Sequence, residues 1–171
     1  MFPVKFFALS CILLVTVVTF EDTPPKKPEF EKLWEAFPAG RHECPGLELH
    51  HQCAIRLSDA LKSVGLALDN DYEGHKCNCD KKLARGAQDL GAWLVKKWGI
   101  RTFGFEKPGK MPENLRGKQG VILFMNIPDF SGQGHIDLWD GKRDESSATK
   151  GGAYWDAETI WFWELKSRSE N

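Results

Sequence analysis

Apolar side chains recur at helical spacing in three segments of the first hundred residues. The first lies between residues 30 and 37 and is ended by Pro38. The clearest begins at Cys53 and carries apolar residues at i, i+3, i+4 and i+7 from Leu57, before Gly65 supplies a left-handed stop. The third runs from about Lys81 to Trp98. The pattern therefore predicts three amphipathic helices, with Cys53 at or near the start of the second.

The second half of the chain has the patterns of strands. Residues 121–127 form an apolar run, broken only by Asn126 and ended by Pro128, which is typical of a strand buried on both faces. Residues 135–140 alternate in character, and residues 160–165 are rich in aromatic side chains. Helices first and strands afterwards predict an α+β fold in which the helices pack on an antiparallel sheet.

The N-terminal residues predict export. Lys5 is followed by an apolar run, Phe6 to Phe20, that is interrupted by polar residues and shorter than the ~20 residues of a membrane span. We interpret residues 1–20 as a signal peptide cleaved near Thr19, with an uncleaved anchor as the alternative. Residues 21–29 contain three prolines and are predicted to form a flexible leader, so that residues 30–171 form one domain.

The charge balance excludes some classes of partner. Lys and Arg number 23 against 24 Asp and Glu, and loss of Lys5 leaves 22 against 24, a formal charge of −2. This balance does not favour nucleic-acid binding, and no basic amphipathic stripe indicates a membrane surface after signal cleavage. We expect a neutral or mixed-charge partner, while the oligomeric state is not indicated.

Five cysteines allow two interpretations. Cys11 would leave with the signal, and four would remain: Cys44, Cys53, Cys77 and Cys79. An even number in a secreted chain suggests two disulfides. A catalytic Cys53 would instead leave three cysteines for one bridge and one thiol. Cys77 and Cys79 are the candidates for a bridge, one of them with Cys44.

Cys53 and His135 are candidates for catalysis. A thiol at a helix N-terminus is favoured as thiolate by the unpaired N–H groups there. His135 follows the glycine-containing segment 131–134 on a predicted strand, and alternation places it on one face with Asp137. A cysteine that opens a helix, followed by a histidine on a later strand, is the order found in papain-like thiol enzymes.

Three motifs carry a resemblance to a known family. They are Gln-Cys-Ala-Ile-Arg-Leu-Ser at 52–58, Ala-Arg-Gly-Ala at 84–87 and Gly-His-Ile-Asp-Leu-Trp-Asp-Gly at 134–141. Together they resemble the fourth family of type VI secretion amidase effectors, which are small papain-like hydrolases related to NlpC-type enzymes. The resemblance extends from about Trp34 to Leu165 and implies a papain-like fold.

The resemblance also implies an activity. The family cleaves the amide bond between D-glutamate and meso-diaminopimelate in the peptidoglycan stem peptide, with a cysteine, a histidine and an acidic residue and without a cofactor. By this resemblance, Cys53 is the catalytic cysteine and His135 the catalytic histidine. The acid is expected on the strand after that of the histidine, which indicates Asp144, with Asp137 and Asp140 as competitors. The backbone N–H of Cys53 would be one oxyanion donor, and the sequence does not name the second.

Bacterial effectors are delivered by an injection machine and are not expected to carry a cleavable export signal, so the predicted signal peptide departs from the family pattern. It favours a domesticated version, secreted by a host cell and used against bacteria outside it. The alternatives are a catalytically silent wall-binding or immune-recognition module on the same fold, and a disulfide-stapled structural protein with Cys53 oxidised.

Other polar clusters have simpler interpretations. A histidine and cysteine group does not have the usual zinc spacing, and it comprises His50, His51, His75, Cys77 and Cys79. An acidic run resembles a calcium loop but lacks its glycine and distant glutamate, and it comprises Asp69, Asp71 and Glu73. We predict no metal site. Strand tryptophans are expected in the core rather than on sugar rings, and they are Trp139, Trp155, Trp161 and Trp163.

Overall fold

The structure, a computed structural model, describes residues 26–40, 44, 52–142 and 153–168. The predicted signal peptide, the first part of the leader and Asp144 lie outside the described residues. Glu29 is extended, and the amide of Phe30 donates to the carbonyl of Lys166. No helix in the described part of the chain is both long and apolar enough to cross a membrane.

Three helices precede most of the sheet, as the pattern predicts. The helices are α1 (Phe30–Ala36), α2 (Cys53–Ser63) and α3 (Ala87–Trp98). The strands are β1 (Phe103–Glu106), β2 (Gly120–Met125), β3 (His135–Trp139) and β4 (Thr159–Glu164). The four strands form one antiparallel sheet in the order β1-β4-β2-β3. The prediction of helices packed on an antiparallel sheet is confirmed.

The alternation of side chains divides the core into two layers. One face of the sheet, with Leu123, Ile136 and Leu138, packs against α2 and α3, and α1 packs on α2 in the same apolar cluster. The other face, with Phe124 and Trp139, is covered by connecting segments that include a short 3₁₀ helix, Glu113–Leu115. Because β2 carries buried side chains on both faces, the apolar run predicted its position correctly.

The predicted start of the third helix is wrong by six residues. Residues 81–86 are not helical, since the amide of Ala84 donates to the hydroxyl of Ser58 (2.9 Å) and the amide of Cys77 donates to the carbonyl of Leu83 (2.7 Å). These bonds take backbone groups that a helix would use. Strand β1 was not predicted, because it has only four residues and contains a glycine.

One disulfide joins Cys44 to Cys77, while Cys53 and Cys79 are free thiols. The expectation that Cys44 pairs with Cys77 or Cys79 is confirmed. The bond crosses 33 residues of chain and lies in a small apolar cluster with Ile55 and Leu83.

The remaining polar clusters have protein partners. Asp69 and Asp71 both pair with Lys97, and Glu73 pairs with Lys96. His50 and His51 lie outside the described residues, and the described residues contain no group of three or more metal-binding side chains. Three of the four tryptophans predicted in the core are buried, Trp139 and Trp163 on strands and Trp155 in a turn before β4, while Trp161 is half-buried under Arg101.

The disulfide should stabilise the fold, whereas the Cys79 thiol should not. Cross-linking across a loop of this size reduces the entropy of the unfolded chain, so Cys77→Ala is expected to cost about 2–4 kcal/mol in the free energy of unfolding. Denaturant titration of both variants measures this, with Cys79→Ala as the matched control. Equal losses for the two variants would show that the pairing is not unique to Cys77.

Candidate active site

Helix α2 holds Cys53 in place through contacts along its length. The guanidinium of Arg56 donates two hydrogen bonds to the carbonyl of Pro38 (3.0 and 2.8 Å) and stacks on Phe37. Further along, Asp59 pairs with Lys81 at 2.9 Å. These contacts fix the helix against the segments on both sides, so that its first residue, Cys53, has a defined position.

His135 begins β3, and steric constraints require a glycine immediately before it. Gly134 has φ of +95°, and a Cβ there would lie 2.1 Å from the carbonyl oxygen of Phe124. Any other residue would collide with this backbone atom of β2. The close approach sets the start of β3, and with it the position of His135.

The thiol and the imidazole are in contact at the edge of the sheet. In the described part of the chain β3 is an edge strand, and α2 packs against it. Burial alone would raise the pKa of the Cys53 thiol, but it is lowered overall by a hydrogen bond with His135, by the charge of that ring, and by the amides of Ile136 and Ala54. The site therefore favours the thiolate.

His135 has the complementary shift. Burial alone would lower its pKa, but hydrogen bonds with Asp137 and Cys53 and the charges of both raise it to about 9. The imidazole is therefore protonated at neutral pH, and both ring N–H groups can donate. The shifts of Cys53 and His135 therefore both favour a buried thiolate–imidazolium pair.

Asp137 completes a row of three side chains. Its Oδ2 lies 3.3 Å from Nε2 of His135, and its Oδ1 accepts a hydrogen bond of 2.8 Å from the amide of Leu138. The side chains of His135 and Asp137 are almost fully enclosed, at 7% and 1% exposure. The prediction that the two residues share one face is confirmed.

The other candidate acids are placed differently. Asp140 lies beyond the end of β3, where it accepts from the amide of Lys142 and pairs with its ammonium group at 3.0 Å. No described contact links it to His135. Asp144 lies outside the described residues, so its assignment stays a prediction.

Two neighbours of His135 were missed by sequence reasoning. Tyr154 packs edge to face on the imidazole with ring centroids 5.1 Å apart. Gln133 exchanges two hydrogen bonds with Asp89 at the start of α3 (3.1 and 3.2 Å). Tyr154 belongs to none of the three motifs, and nothing in the local pattern indicates that it returns to the site.

Comparison with known proteins places the chain in a family. The family model of Tae4, the type VI secretion system amidase effector protein 4, matches residues 49–163, which is more than half of the chain. The chain belongs to this family. The family resemblance predicted from the three motifs is confirmed, and a search among curated proteins finds no match.

Solved Tae4 structures share the fold. The Tae4 chain of a Tae4–Tai4 effector–immunity complex from Enterobacter cloacae is similar with a TM-score of 0.65 and 22% identity, covering 82% of this chain and 100% of that one. Its counterpart from Salmonella Typhimurium has a TM-score of 0.67 and 20% identity, covering 82% of this chain and 99% of that one. Another structure of Tae4 from E. cloacae has a TM-score of 0.64 and 22% identity, covering 84% of this chain and 100% of that one.

The pair can be tested through the reactivity of the thiol. We expect the rate of Cys53 alkylation by iodoacetamide to rise with a midpoint below 9.0, the ordinary pKa of the thiol, because His135 and the two amides stabilise the thiolate. In His135→Ala the midpoint should move to higher pH, since burial then acts without the opposing charge. Both measurements are made in a Cys79→Ala background, which removes the other free thiol of the described residues, so that the signal is specific to Cys53. Identical midpoints in the presence and absence of His135 would contradict the pairing.

Proposed function

We propose that the protein is an antibacterial peptidoglycan amidase in which Cys53 is the nucleophile and His135 transfers the protons. The observation that carries this proposal is the buried contact of Cys53 with His135, whose other side is bonded to Asp137. Membership of an amidase effector family supplies the reaction class. The papain-like and NlpC-type relationship is part of the same proposal.

The geometry supports a two-step hydrolysis. The Cys53 thiolate attacks the carbonyl carbon of the scissile amide, and the resulting oxyanion accepts a hydrogen bond from the backbone N–H of Cys53, which as the first helical residue has no partner within α2. His135 gives its proton to the leaving nitrogen as the C–N bond breaks and a thioester forms. His135, now neutral, takes a proton from water as the water oxygen attacks the thioester. The C–S bond then breaks, which releases a carboxylic acid and restores the Cys53 thiolate beside the protonated His135.

Asp137 is the acid that the described contacts support for orienting His135. Its carboxylate contacts Nε2, which leaves Nδ1 to face the thiol, and is itself held by the amide of Leu138. This arrangement stabilises the imidazolium and fixes the ring plane. Family resemblance favours Asp144 for the same place, and the two assignments make different predictions.

Substitution of each acid distinguishes them. We expect Asp137→Ala to reduce turnover by about 10²- to 10⁴-fold. In the wild type, activity should fall at alkaline pH as His135 loses its proton near pH 9, and Asp137→Asn should move this limit to lower pH. The second effect follows because the amide cannot supply the negative charge that raises the pKa of His135.

Asp144→Ala is the matched comparison, with thermal unfolding measured for every variant. If Asp144→Ala lost more activity than Asp137→Ala at equal stability, the orienting acid would be Asp144.

We propose that the bond cleaved is that between D-glutamate and meso-diaminopimelate in the stem peptide. This assignment comes from the family resemblance, and the catalytic row is compatible with it because amide cleavage by a thiol requires only these groups and an oxyanion site. The export signal predicted from residues 1–20 favours a secreted protein that meets bacterial walls outside the producing cell. A silent binding module on the same fold would have no need of a buried thiolate–imidazolium pair.

Digestion of diaminopimelate-type sacculi tests the substrate. The wild-type protein should release fragments with a new free amine on diaminopimelate and leave L-alanyl-D-glutamate on muramic acid, as mass analysis would detect. Cys53→Ala should release none, whereas Cys79→Ala should match the wild type. New ends at muramic acid, at L-alanine or at sugar reducing termini would refute the bond assignment.

A further inference from the structure

Tyr154 lies against the catalytic histidine within an aromatic cluster. Its ring meets His135 edge to face at 5.1 Å and contacts Phe124 at 5.9 Å and Phe130 at 5.7 Å between centroids. Tyr154 and Phe130 are half-buried, whereas Phe124 is fully buried. The cluster therefore presents two aromatic side chains at the surface immediately beside His135.

The hydroxyl of Tyr154 is available to a ligand. It makes no hydrogen bond with any residue in the described part of the chain, although its ring is held on three sides. Burial and the negative charges of Cys53 and Asp137 raise its pKa. The hydroxyl consequently stays protonated where the enzyme works, as a hydrogen-bond donor on a ring that packs against His135.

Its position relative to His135 indicates which part of the substrate it meets. The oxyanion forms at the start of α2, where the amide of Cys53 points, whereas the leaving nitrogen must face His135 to receive its proton. A group that packs on the imidazole therefore flanks the amine side of the scissile bond. On that side, the nearest acceptor in a peptide substrate is the carbonyl or carboxylate oxygen on the carbon that bears the leaving nitrogen.

We propose that Tyr154 is a substrate-binding residue, whose hydroxyl donates a hydrogen bond to this oxygen of the residue that leaves as the amine. The inference rests on the proposed amidase function and adds a specificity contact on the amine side of the bond. Phe130 extends the same wall and shields the contact from water.

The chain provides a matched control, because it has two tyrosines. The hydroxyl of Tyr72 donates to the carbonyl of His75 (3.3 Å), and its pKa is raised by burial and by the charge of Asp89, with no contribution from Cys53. Tyr154→Phe and Tyr72→Phe each remove one phenolic hydroxyl, so their comparison separates a contact in the site from a general effect of the substitution.

The test uses two D-glutamyl substrates. In one the leaving diaminopimelate keeps the carboxyl group next to the scissile nitrogen, and in the other this group is replaced by hydrogen. We expect Tyr154→Phe to raise KM for the first substrate and to lower kcat/KM by about 3- to 10-fold, the effect of one neutral hydrogen bond. The wild type should lose a similar factor on the second substrate, and Tyr154→Phe should lose little further. Tyr72→Phe should behave as the wild type on both.

The rate of Cys53 alkylation distinguishes a failure of the Tyr154 proposal from a failure of the proposed amidase function. It should be unchanged in Tyr154→Phe, because the proposed contact is with the substrate. Equal kinetics of Tyr154→Phe and the wild type on both substrates would overturn the proposal. A parallel fall in alkylation and turnover would also overturn it, by showing that the hydroxyl acts through the Cys53–His135 pair. Rapid alkylation of a wild-type protein that cleaves neither substrate would refute the amidase function itself.

Discussion

The site depends on enclosing two groups whose pKa shifts favour opposite charges, at the edge of the sheet formed by the described strands. A thiolate or an imidazolium removed alone from water would be costly, and each is tolerated here because the other, together with hydrogen-bonding groups, replaces the solvent. The Cys53 thiolate accepts from the amides of Ile136 and Ala54 as well as from His135. Asp137 satisfies the second nitrogen of the ring. The backbone on both sides of the site therefore has to be fixed before the side chains can form the pair.

The edge position of β3 makes this arrangement possible. His135 and Asp137 lie on the face of the sheet opposite the helical layer, since Ile136 and Leu138 are the residues that pack against it. Cys53 comes from the helical layer, and it meets His135 around a strand that has a neighbour on one side only among the described strands. The Ile136 amide in contact with the thiol is a backbone group of that strand, and an interior strand would use both of its sides for neighbours.

The sequence predicted those parts of the site that are determined locally. Helix periodicity after Cys53 and alternation after Gly134 placed the thiol at a helix start and put His135 on one face with Asp137. The disulfide partner of Cys44 was left open between Cys77 and Cys79, because that choice depends on how the 76–84 segment turns back on itself. Tyr154 was missed for the same reason: it reaches His135 through tertiary packing, and no periodic pattern records such a contact.

The segment before His135 shows how packing alters what composition implies. Ser131, Gly132, Gln133 and Gly134 would be expected to form a flexible loop. However, Gln133 is bonded twice to Asp89 at the start of α3, and Gly134 lies directly against the Phe124 carbonyl. The loop is therefore anchored at its last two residues, next to the imidazole. Since an amidase gains rate from groups held in position before the substrate arrives, an anchored loop serves the chemistry better than a mobile one. The glycine at 134 thus provides close approach between strands, not freedom of movement.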